Sequence, residues 1–307
     1  MLPGFKYNII YFTTLFLISF SVNKMFAQKQ ENVLFTSFSQ AILQKENVVQ
    51  LNIREQNFYS LPAEICVFPK LEYFNAMKNK IVEIAPEISR LKNLKLVNFH
   101  DNQIRMLPDG FFKLTKLESV DLSLNQISVF DNGFGKLKNL KQLYLIENRI
   151  RNVSEAIGKI KSLEVLELSY NQIETLPSDI GDLKNLKVLS LSHNQLRNLP
   201  ENIAQLSQIQ SIALDNNQLN ELPETIGKMK SLRSLVLNHN QLEILPENIT
   251  ALENLEMLDL GYNQLTQLPI NIGKLTKLKS IILTGNNLSF VEKQRIKQAL
   301  PNTSVTF

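Results

Sequence analysis

An asparagine recurs every 23 residues along most of this chain, and this fixed period constrains the fold more than any other feature of the sequence. Gln56 occupies the first of eleven such positions, and no insertion or deletion interrupts the spacing. The asparagines are Asn79, Asn102, Asn125, Asn148, Asn171, Asn194, Asn217, Asn240, Asn263 and Asn286. Eleven periods cover the chain from Val48 to Leu300. A period of this length predicts an array of stacked repeat units.

Each repeat carries apolar residues at the same places around its asparagine. In the repeat of Asn171, Leu166 and Leu168 are two residues apart and therefore point to the same side of a predicted strand. Leu176 and Ile180 add apolar layers on the segment that returns to the next strand. One repeat cannot bury its apolar side alone, so we predict that neighbouring repeats share a continuous core. The asparagine amide is expected to satisfy buried backbone groups at the turn.

The recurring pattern L-x-x-L-x-L-x-x-N-x-L-x-x-L-P-x-x-I-x-x-L resembles the leucine-rich repeat family in its 23-residue form. The resemblance runs from residue 48 to the end of the chain and implies an α/β repeat solenoid. It implies a curved, right-handed superhelix with a parallel sheet on its concave face. Ala85, Asp131 and Ser154 stand where the pattern has proline, so the N-terminal half is less regular than the C-terminal half.

The start of the array is expected to be covered by a helix. Residues 28–47 form the predicted N-terminal cap, and apolar residues at helical spacing predict an amphipathic helix over 31–46. A helix that binds a membrane or a partner is the alternative, although its polar side is not basic. The repeat array itself is predicted to span 48–288, with its eleventh repeat continuing into the C-terminal cap.

The C-terminal cap is predicted to occupy 289–307. Ser289 and Glu292 fit a capping box at the start of a helix. Val305 and Phe307 are expected to add a final short strand after that helix. This ending is similar to the terminal cap of exported bacterial leucine-rich repeat proteins. The cysteine-rich caps usual in animal extracellular members are absent from the sequence, which favours the bacterial resemblance.

Residues 1–27 differ in composition from the repeats. Lys6 precedes an apolar run from Ile9 to Phe20, which is shorter than the roughly 20 residues that a membrane-spanning helix needs. A basic start, a short apolar run and the small residue Ala27 predict a secretory signal peptide that is cleaved after Ala27. A retained N-terminal membrane anchor is the alternative. We therefore expect an exported protein, which is periplasmic, on the cell surface or secreted.

The sequence offers few groups for catalysis or for binding a cofactor. The net charge of +4 falls to +2 when the leader with Lys6 and Lys24 is removed, which is too balanced to indicate a nucleic-acid or anionic-membrane surface. Cys66, the single cysteine, falls in a column of small residues and is interpreted as a packing residue. His193 and His239 occupy one column two repeats apart, roughly 10 Å from each other, too far to share a zinc ion. With His100 they are interpreted as solvated, and we expect no enzyme activity, cofactor or metal.

The outward positions of the predicted strands are where the repeats differ freely. Contiguous apolar side chains on such a face often mark an interaction site. We therefore predict a protein-binding patch in repeats two to six, with an acidic rim. The patch comprises Tyr73, Met77, Leu96, Tyr144, Ile146, Val165 and Tyr170, and the rim comprises Asp121, Glu147 and Glu167.

The predicted function is that of a non-enzymatic, exported module that recognises another protein through the concave sheet of a leucine-rich repeat solenoid. A structural or self-associating cell-surface protein, such as an adhesin, is the alternative. We expect a protein partner rather than nucleic acid. We also expect no membrane insertion after the leader is removed, and either a monomer or weak self-association.

Overall fold

The computed structural model describes residues 33–61 and 63–307, so the signal peptide predicted at 1–27 lies outside the described residues. Within these residues two α-helices, α1 (Phe38–Leu43) and α2 (Phe290–Ala299), lie near the two ends of a series of short strands. None of the helices in the described ranges is long and apolar enough to cross a membrane. The strands are β1 (Leu34–Phe35), β2 (Gln50–Asn52), β3 (Ser60–Leu61), β4 (Tyr73–Asn75), β5 (Glu83–Ile84), β6 (Leu96–Asn98), β7 (Ser119–Asp121), β8 (Gln142–Tyr144), β9 (Val165–Glu167), β10 (Val188–Ser190), β11 (Ser211–Ala213), β12 (Ser234–Val236), β13 (Met257–Asp259), β14 (Ser280–Ile282) and β15 (Ser304–Thr306).

Within the described residues, thirteen of these strands form one parallel sheet whose order follows the chain. Strands of successive repeats pair in register, so that Leu166 lies between Leu143 and Leu189, each 23 residues away. β3 and β5 form a separate two-stranded parallel pair. Short 3-10 helices occupy the returning segments, at Ala63–Val67, Pro86–Arg90, Phe111–Lys113, Asn132–Lys136, Glu155–Lys159, Ser178–Asp182, Glu201–Gln205, Glu224–Lys228, Glu247–Ala251 and Ile272–Lys274. The predicted α/β repeat solenoid is confirmed.

The hydrophobic core lies between the sheet and the 3-10 helices. Leu166, Leu168, Ile173 and Ile180 are all fully buried, and their counterparts in neighbouring repeats are buried with them. One continuous cluster of buried apolar residues extends from the N-terminal cap to the C-terminal cap. Stability therefore comes from the contacts between adjacent repeats, as the sequence pattern predicts.

The recurring asparagines join consecutive turns along the array. The amide nitrogen of Asn171 donates to the carbonyl oxygens of Leu168 at 3.0 Å and Leu145 at 2.8 Å, and its Oδ1 accepts from the N–H of Ile150 at 2.9 Å. Each of the ten asparagines makes these three kinds of hydrogen bond. We call this set the asparagine ladder.

Most of the 3-10 helices on the returning segments follow a residue with an extended backbone. Pro177 has an extended backbone, with φ −70° and ψ 152°, and makes no side-chain cap. Where the pattern lacks proline, Asp131 and Ser154 adopt similar angles, and their side chains accept hydrogen bonds from the N–H groups of Gly133 and Ala156. These departures from the pattern therefore replace a stiff residue with a capping residue.

Phenylalanines fill the core of the less regular N-terminal half. Phe112 packs edge-on against Phe111 and Phe134, with ring centroids 5.8 and 5.3 Å away. Phe130 is tilted against Phe134 at 4.8 Å, and all four rings are buried. Phe111 and Phe134 stand where later repeats have isoleucine, and Phe130 stands where they have leucine, whereas Phe112 stands in the column that later holds Gly135 and Gly158. The buried rings keep the packing dense where the pattern is weaker.

The N-terminal cap differs from the single helix predicted over 31–46. β1 (Leu34–Phe35) pairs in parallel with β2 and covers the edge of the sheet, whereas α1 spans only Phe38–Leu43. The helix prediction is wrong for the first part of this segment because unpaired backbone groups of β2 favour a strand beside them. Gln56 links the cap to the first repeat, since its Nε2 donates to the carbonyl oxygen of Thr36 at 2.6 Å.

The C-terminal cap contains both the helix and the final strand that the sequence predicts. α2 begins after Ser289, whose hydroxyl accepts from the N–H of Glu292 at 3.2 Å. The carboxylate of Glu292 turns to the preceding repeat, where it accepts from the N–H of Leu268 at 2.8 Å and pairs with Arg295 at 2.6 Å. β15 then pairs in parallel with β14. One half of the predicted capping box is thus replaced by a contact that fixes the helix on the array.

Small residues in one column allow adjacent repeats to approach closely. A Cβ on Gly181 would lie 2.1 Å from the carbonyl oxygen of Asn202, and a Cβ on Gly227 would lie equally close to that of Asn248. Cys66 belongs to this column and is 3% exposed, and burial raises the pKa of its thiol to about 11. A buried, protonated thiol is unreactive, in agreement with the interpretation of Cys66 as a packing residue.

Candidate protein-binding face

The three-residue strands present a repeated set of side chains on the outer surface of the sheet. In β9 the middle residue, Leu166, points into the core, and Val165 and Glu167 point outward. Ser169 and Tyr170 are the next outward positions as the chain leaves the strand. We call these four positions, taken over all repeats, the sheet face. It is the face that the family resemblance predicts to be concave.

The predicted patch lies on the sheet face, but most of it is only partly accessible. Tyr170 is 49% exposed. Val165 is only 7% exposed because Gln142 and Val188 lie beside it in register, so it is a packed residue of the face rather than an open contact. The remaining patch residues are half-buried, namely Tyr73, Met77, Leu96, Tyr144 and Ile146. In the rim, Glu147 is exposed, and Asp121 and Glu167 are half-buried.

Asp121 of the rim contacts a backbone N–H two residues further along the chain and a histidine of the preceding repeat. Its Oδ1 accepts from the N–H of Ser123 at 2.9 Å, and its Oδ2 lies 3.8 Å from Nδ1 of His100. The neighbouring Asp121 carboxylate raises the pKa of His100. In the first three repeats this position holds Asn52, Asn75 and Asn98. Each side-chain oxygen likewise accepts a hydrogen bond from the backbone N–H two residues later. This column therefore caps the strand ends as well as facing outward.

Glu167 and Tyr144 lie side by side on adjacent strands. Burial raises the pKa of Glu167 to about 7, although a hydrogen bond with Ser190 opposes this effect. Burial also raises the pKa of Tyr144, and the negative charges of Glu167 and Asp121 add to the shift. The tyrosine is therefore a neutral phenol at physiological pH and is available as a hydrogen-bond donor.

The residue before each ladder asparagine has a positive φ and lines one margin of the sheet face. We call this set the left-handed column; its members are Glu55, Lys78, Asp101, Leu124, Glu147, Tyr170, His193, Asn216, His239, Tyr262 and Gly285. Tyr170 stacks on His193 with ring centroids 4.1 Å apart, and His239 stacks on Tyr262 at 4.4 Å, with ring planes within 11°.

Sequence reasoning missed these two stacks because the histidines were compared with each other and not with their neighbours. The signal was available, since Tyr170 and His193 are 23 residues apart, as are His239 and Tyr262. Residues separated by one period occupy the same position on adjacent strands and are therefore in contact. The expectation that His193 and His239 are simply solvated is corrected, because each has one ring face covered.

A column of alternating charge runs along the opposite margin of the sheet, at the residue before each strand. Its members are Glu72, Lys95, Glu118, Lys141, Glu164, Lys187, Gln210, Arg233, Glu256 and Lys279. Lys95 pairs with Glu72 and Lys141 with Glu118, both at 2.8 Å, and Lys187 pairs with Glu164 at 2.7 Å. We call this column the charge ladder. In each of these ion pairs, a glutamate of the adjacent repeat neutralises a lysine that lies outside the sheet face.

The arrangement of the sheet face is suited to recognition. Over residues 33–61 and 63–307, no group of three or more His, Cys, Asp and Glu side chains could hold a metal ion. The histidine nearest to a rim acid, His100, is paired with that acid at the surface of the sheet. Neutral tyrosines, aliphatic side chains and carboxylates at fixed spacing offer a partner contact area and charge complementarity.

Family comparisons agree with this geometry. The family described as "Leucine-rich repeat region" matches residues 42–174 and 151–243, and that described as "Leucine rich repeat" matches residues 230–288. The chain belongs to the leucine-rich repeat family. No curated protein sequence matches this leucine-rich repeat chain.

Solved leucine-rich repeat structures resemble the chain over most of its length. A leucine-rich repeat protein from Leptospira interrogans is 31% identical, with a TM-score of 0.68, over 90% of this chain and 82% of that protein. The internalin InlF from Listeria monocytogenes is 23% identical, with a TM-score of 0.78, over 90% and 78% of the two chains. The plant peptide hormone receptor RGFR1, in complex with RGF2, is 27% identical, with a TM-score of 0.65, over 79% of this chain and 44% of the receptor. The predicted resemblance to bacterial leucine-rich repeat proteins is confirmed.

Proposed function

We propose that this leucine-rich repeat chain is a non-enzymatic module that binds another protein through its sheet face. The sheet face carries the proposal, because its outward side chains differ from repeat to repeat while the core behind them stays nearly constant. Solenoids use such extended surfaces for binding. The similar plant receptor is in complex with RGF2, which supports a binding role.

The centre of the proposed interface is the patch in repeats two to six. Tyr170 is exposed, and Tyr144 is half-buried with a neutral hydroxyl. Tyrosines supply a large contact area and one polar group, and they are enriched among the residues that dominate binding energy. Glu147 and Glu167 place carboxylates beside them. We therefore place the strongest contacts at these two tyrosines.

Alanine substitution of the two tyrosines tests the proposal on a partner isolated from the compartment that holds the mature chain. Tyr144→Ala and Tyr170→Ala should each weaken binding about tenfold or more, as for residues that dominate an interface. Tyr59→Ala is the matched control, because Tyr59 is 65% exposed and lies outside the sheet face. Equal affinity for all three variants and the unaltered chain would reject the patch.

We also propose that the chain is exported through the leader at residues 1–27. The basic start and short apolar run support this assignment. Cell fractionation followed by N-terminal sequencing of the mature chain should give Gln28 as the first residue. A chain that retains Lys6 and sediments with membranes would support the alternative, a membrane anchor.

Self-association is the second candidate function, and one observation favours it. β15 ends the described sheet, and its residues Ser304 and Thr306 are exposed, so that one edge has unpaired backbone groups. Such an edge can pair with another strand. Light scattering after size-exclusion chromatography separates the two functions: a monomer at all concentrations supports partner binding, and concentration-dependent oligomers support an adhesin or spacer.

A further inference from the structure

The sheet face of repeats four to eleven has a charge opposite to that of the whole molecule. Its outward positions contain no lysine or arginine, although the chain has a net charge of +4. The acids at those positions are Asp121, Glu147, Glu167, Asp215 and Asp259. In the first two repeats, the basic residues Arg54 and Lys78 both pair with Glu55. The acidic part of the face therefore attracts cationic groups.

Two of these acids are buried in the sheet face. Asp215 is 6% exposed and Asp259 is 4% exposed. Burial raises the pKa of Asp259, the hydrogen bond from the N–H of Gly261 opposes this effect, and the charge of Asp215 adds to it. A buried carboxylate has lost most of its hydration. Both carboxylates already accept hydrogen bonds within the sheet face, and a cation brought by a partner would add a direct attraction between opposite charges.

The left-handed column carries a non-aromatic side chain, Asn216, beside Asp215. Tyr170 stacks on His193, and His239 stacks on Tyr262, each pair with nearly parallel rings. The ring face of each imidazole that its tyrosine does not cover therefore points along the left-handed column towards the repeat of Asn216, which lies between the two pairs. The amide of Asn216 lies at this level and donates to Oδ2 of Asp215 at 3.0 Å, and Oδ1 of Asp215 accepts from the hydroxyl of Ser192. We call the position of the Asn216 side chain, between the rings of His193 and His239, the slot.

The dimensions of the slot suit a flat group. Strands two repeats apart are separated by about 10 Å, and the stacked rings of this column already sit 4.1 and 4.4 Å from their neighbours. A planar group that takes the place of the Asn216 amide would therefore lie between the rings of His193 and His239. Oδ2 of Asp215 lies 3.9 Å from Nε2 of His193, so a carboxylate lines the slot.

We propose that the sheet face of repeats five to ten binds an extended, basic segment of a partner protein, with an arginine side chain seated in the slot beside Asp215. This inference rests on the proposed function and names the chemistry of the partner. The guanidinium is planar, stacks on aromatic faces and pairs with carboxylates, whereas a lysine ammonium is compact and does not stack as a plane. Val188 and Val236 provide apolar contacts for the rest of the segment.

A random twelve-residue peptide library, selected on the immobilised mature chain, tests the chemistry without a known partner. Selected peptides should be enriched in arginine above lysine. Each selected peptide is then resynthesised with citrulline in place of arginine, which keeps the planar group but removes the charge. A second version carries lysine in place of arginine, which keeps the charge but removes the planar group. Both changes at the critical arginine should weaken binding about tenfold. An absence of binders, or binders without arginine enrichment, overturns the inference.

Three variants locate the arginine. Asn216→Tyr should fill the slot with a continuous stack and weaken the arginine peptides about tenfold, and its φ of 55° is one that Tyr170 and Tyr262 already adopt. Asp215→Asn removes the charge beside the slot and should also weaken them. The control, Glu174→Gln with Glu221→Gln, removes two exposed charges outside the sheet face and should leave binding unchanged. Arginine peptides that bind Asn216→Tyr as well as the unaltered chain overturn the slot.

The outcomes separate this inference from the proposed function. Peptides that lack arginine but lose affinity on Tyr144→Ala would overturn the basic partner and leave binding through the sheet face intact. Peptides or partners whose affinity no sheet-face variant changes would overturn both. Circular dichroism and the urea midpoint of each variant confirm that Asn216→Tyr and Asp215→Asn remain folded when binding is lost.

Discussion

At the scale of single residues, the ladder asparagines have a side chain whose length fits its place. The amide of Asn194 donates to the carbonyls of Leu168 and Leu191, and its oxygen accepts from the N–H of Ile173. Buried backbone groups must be paired, and asparagine pairs three of them from two repeats. Gln56, one methylene longer, reaches the cap instead of repeating this pattern.

Asn194→Ala should lower the free energy of unfolding by roughly 3 kcal/mol, because three buried backbone groups lose their partners. Asn185→Ala is the matched control. The Asn185 amide donates to Lys161 at the exposed margin, where water can replace it, so its loss should cost less than about 1 kcal/mol. Urea unfolding followed by circular dichroism measures both changes. Similar midpoints for the two variants would contradict the role given to the ladder.

Glu167 should make stability depend on pH. Its native pKa of about 7 lies above the ordinary value of 4.5, so the native chain binds the proton more tightly than the unfolded chain. The carboxyl therefore costs no stability below pH 4.5, an increasing amount between pH 4.5 and 7, and a constant amount above pH 7. Glu167→Gln should raise the urea midpoint at pH 8 and leave it nearly unchanged at pH 4.

Glu174→Gln is the control for that experiment, because Glu174 is exposed on a returning segment. Its substitution should change the urea midpoint equally, and slightly, at both pH values. If Glu167→Gln behaves in the same way, the carboxyl of Glu167 is solvated rather than desolvated beside Tyr144.

At the scale of elements, the strands and the C-terminal helix could be predicted from the sequence, and other elements could not. Strand positions follow from alternation, as at Leu166 and Leu168, and from the fixed period. The strand Leu34–Phe35 was missed because its backbone pairing with β2 is decided by tertiary context that an apolar pattern does not contain. The stacks of Tyr170 and His239 were missed for a similar reason, since they form between repeats and not within one.

The starts of the 3-10 helices lead to a prediction about Asp131. Asp131→Ala should lower the free energy of unfolding by about 1 kcal/mol, because the N–H of Gly133 loses its cap. Asp131→Pro restores the residue of the repeat pattern at a φ of −68°, which proline already requires. It should therefore be within about 0.5 kcal/mol of the unaltered chain. Urea unfolding of the two variants checks the order, and a proline variant less stable than the alanine variant would contradict it.

At the scale of the whole molecule, each repeat contacts only its neighbours, so a defect in the middle should divide the array. Gly181→Val places side-chain atoms where Asn202 already lies 2.1 Å from a Cβ. We expect a lower stability and a broad or two-step urea transition in place of one cooperative step. Gly261→Ala is the control, since its Cβ would meet its nearest atom at 3.3 Å. A single sharp transition for Gly181→Val would show that the array unfolds as one unit.

The charge ladder has a consequence for how this chain can change in length. Over six repeats the charges of this ladder alternate in sign, and ion pairs join the repeats two by two. The residues in order are Glu72, Lys95, Glu118, Lys141, Glu164 and Lys187. Duplicating or deleting one 23-residue unit there would bring two glutamates or two lysines face to face, whereas a change of 46 residues preserves every attraction. Growth of this region by gene duplication is therefore least disruptive in steps of two repeats.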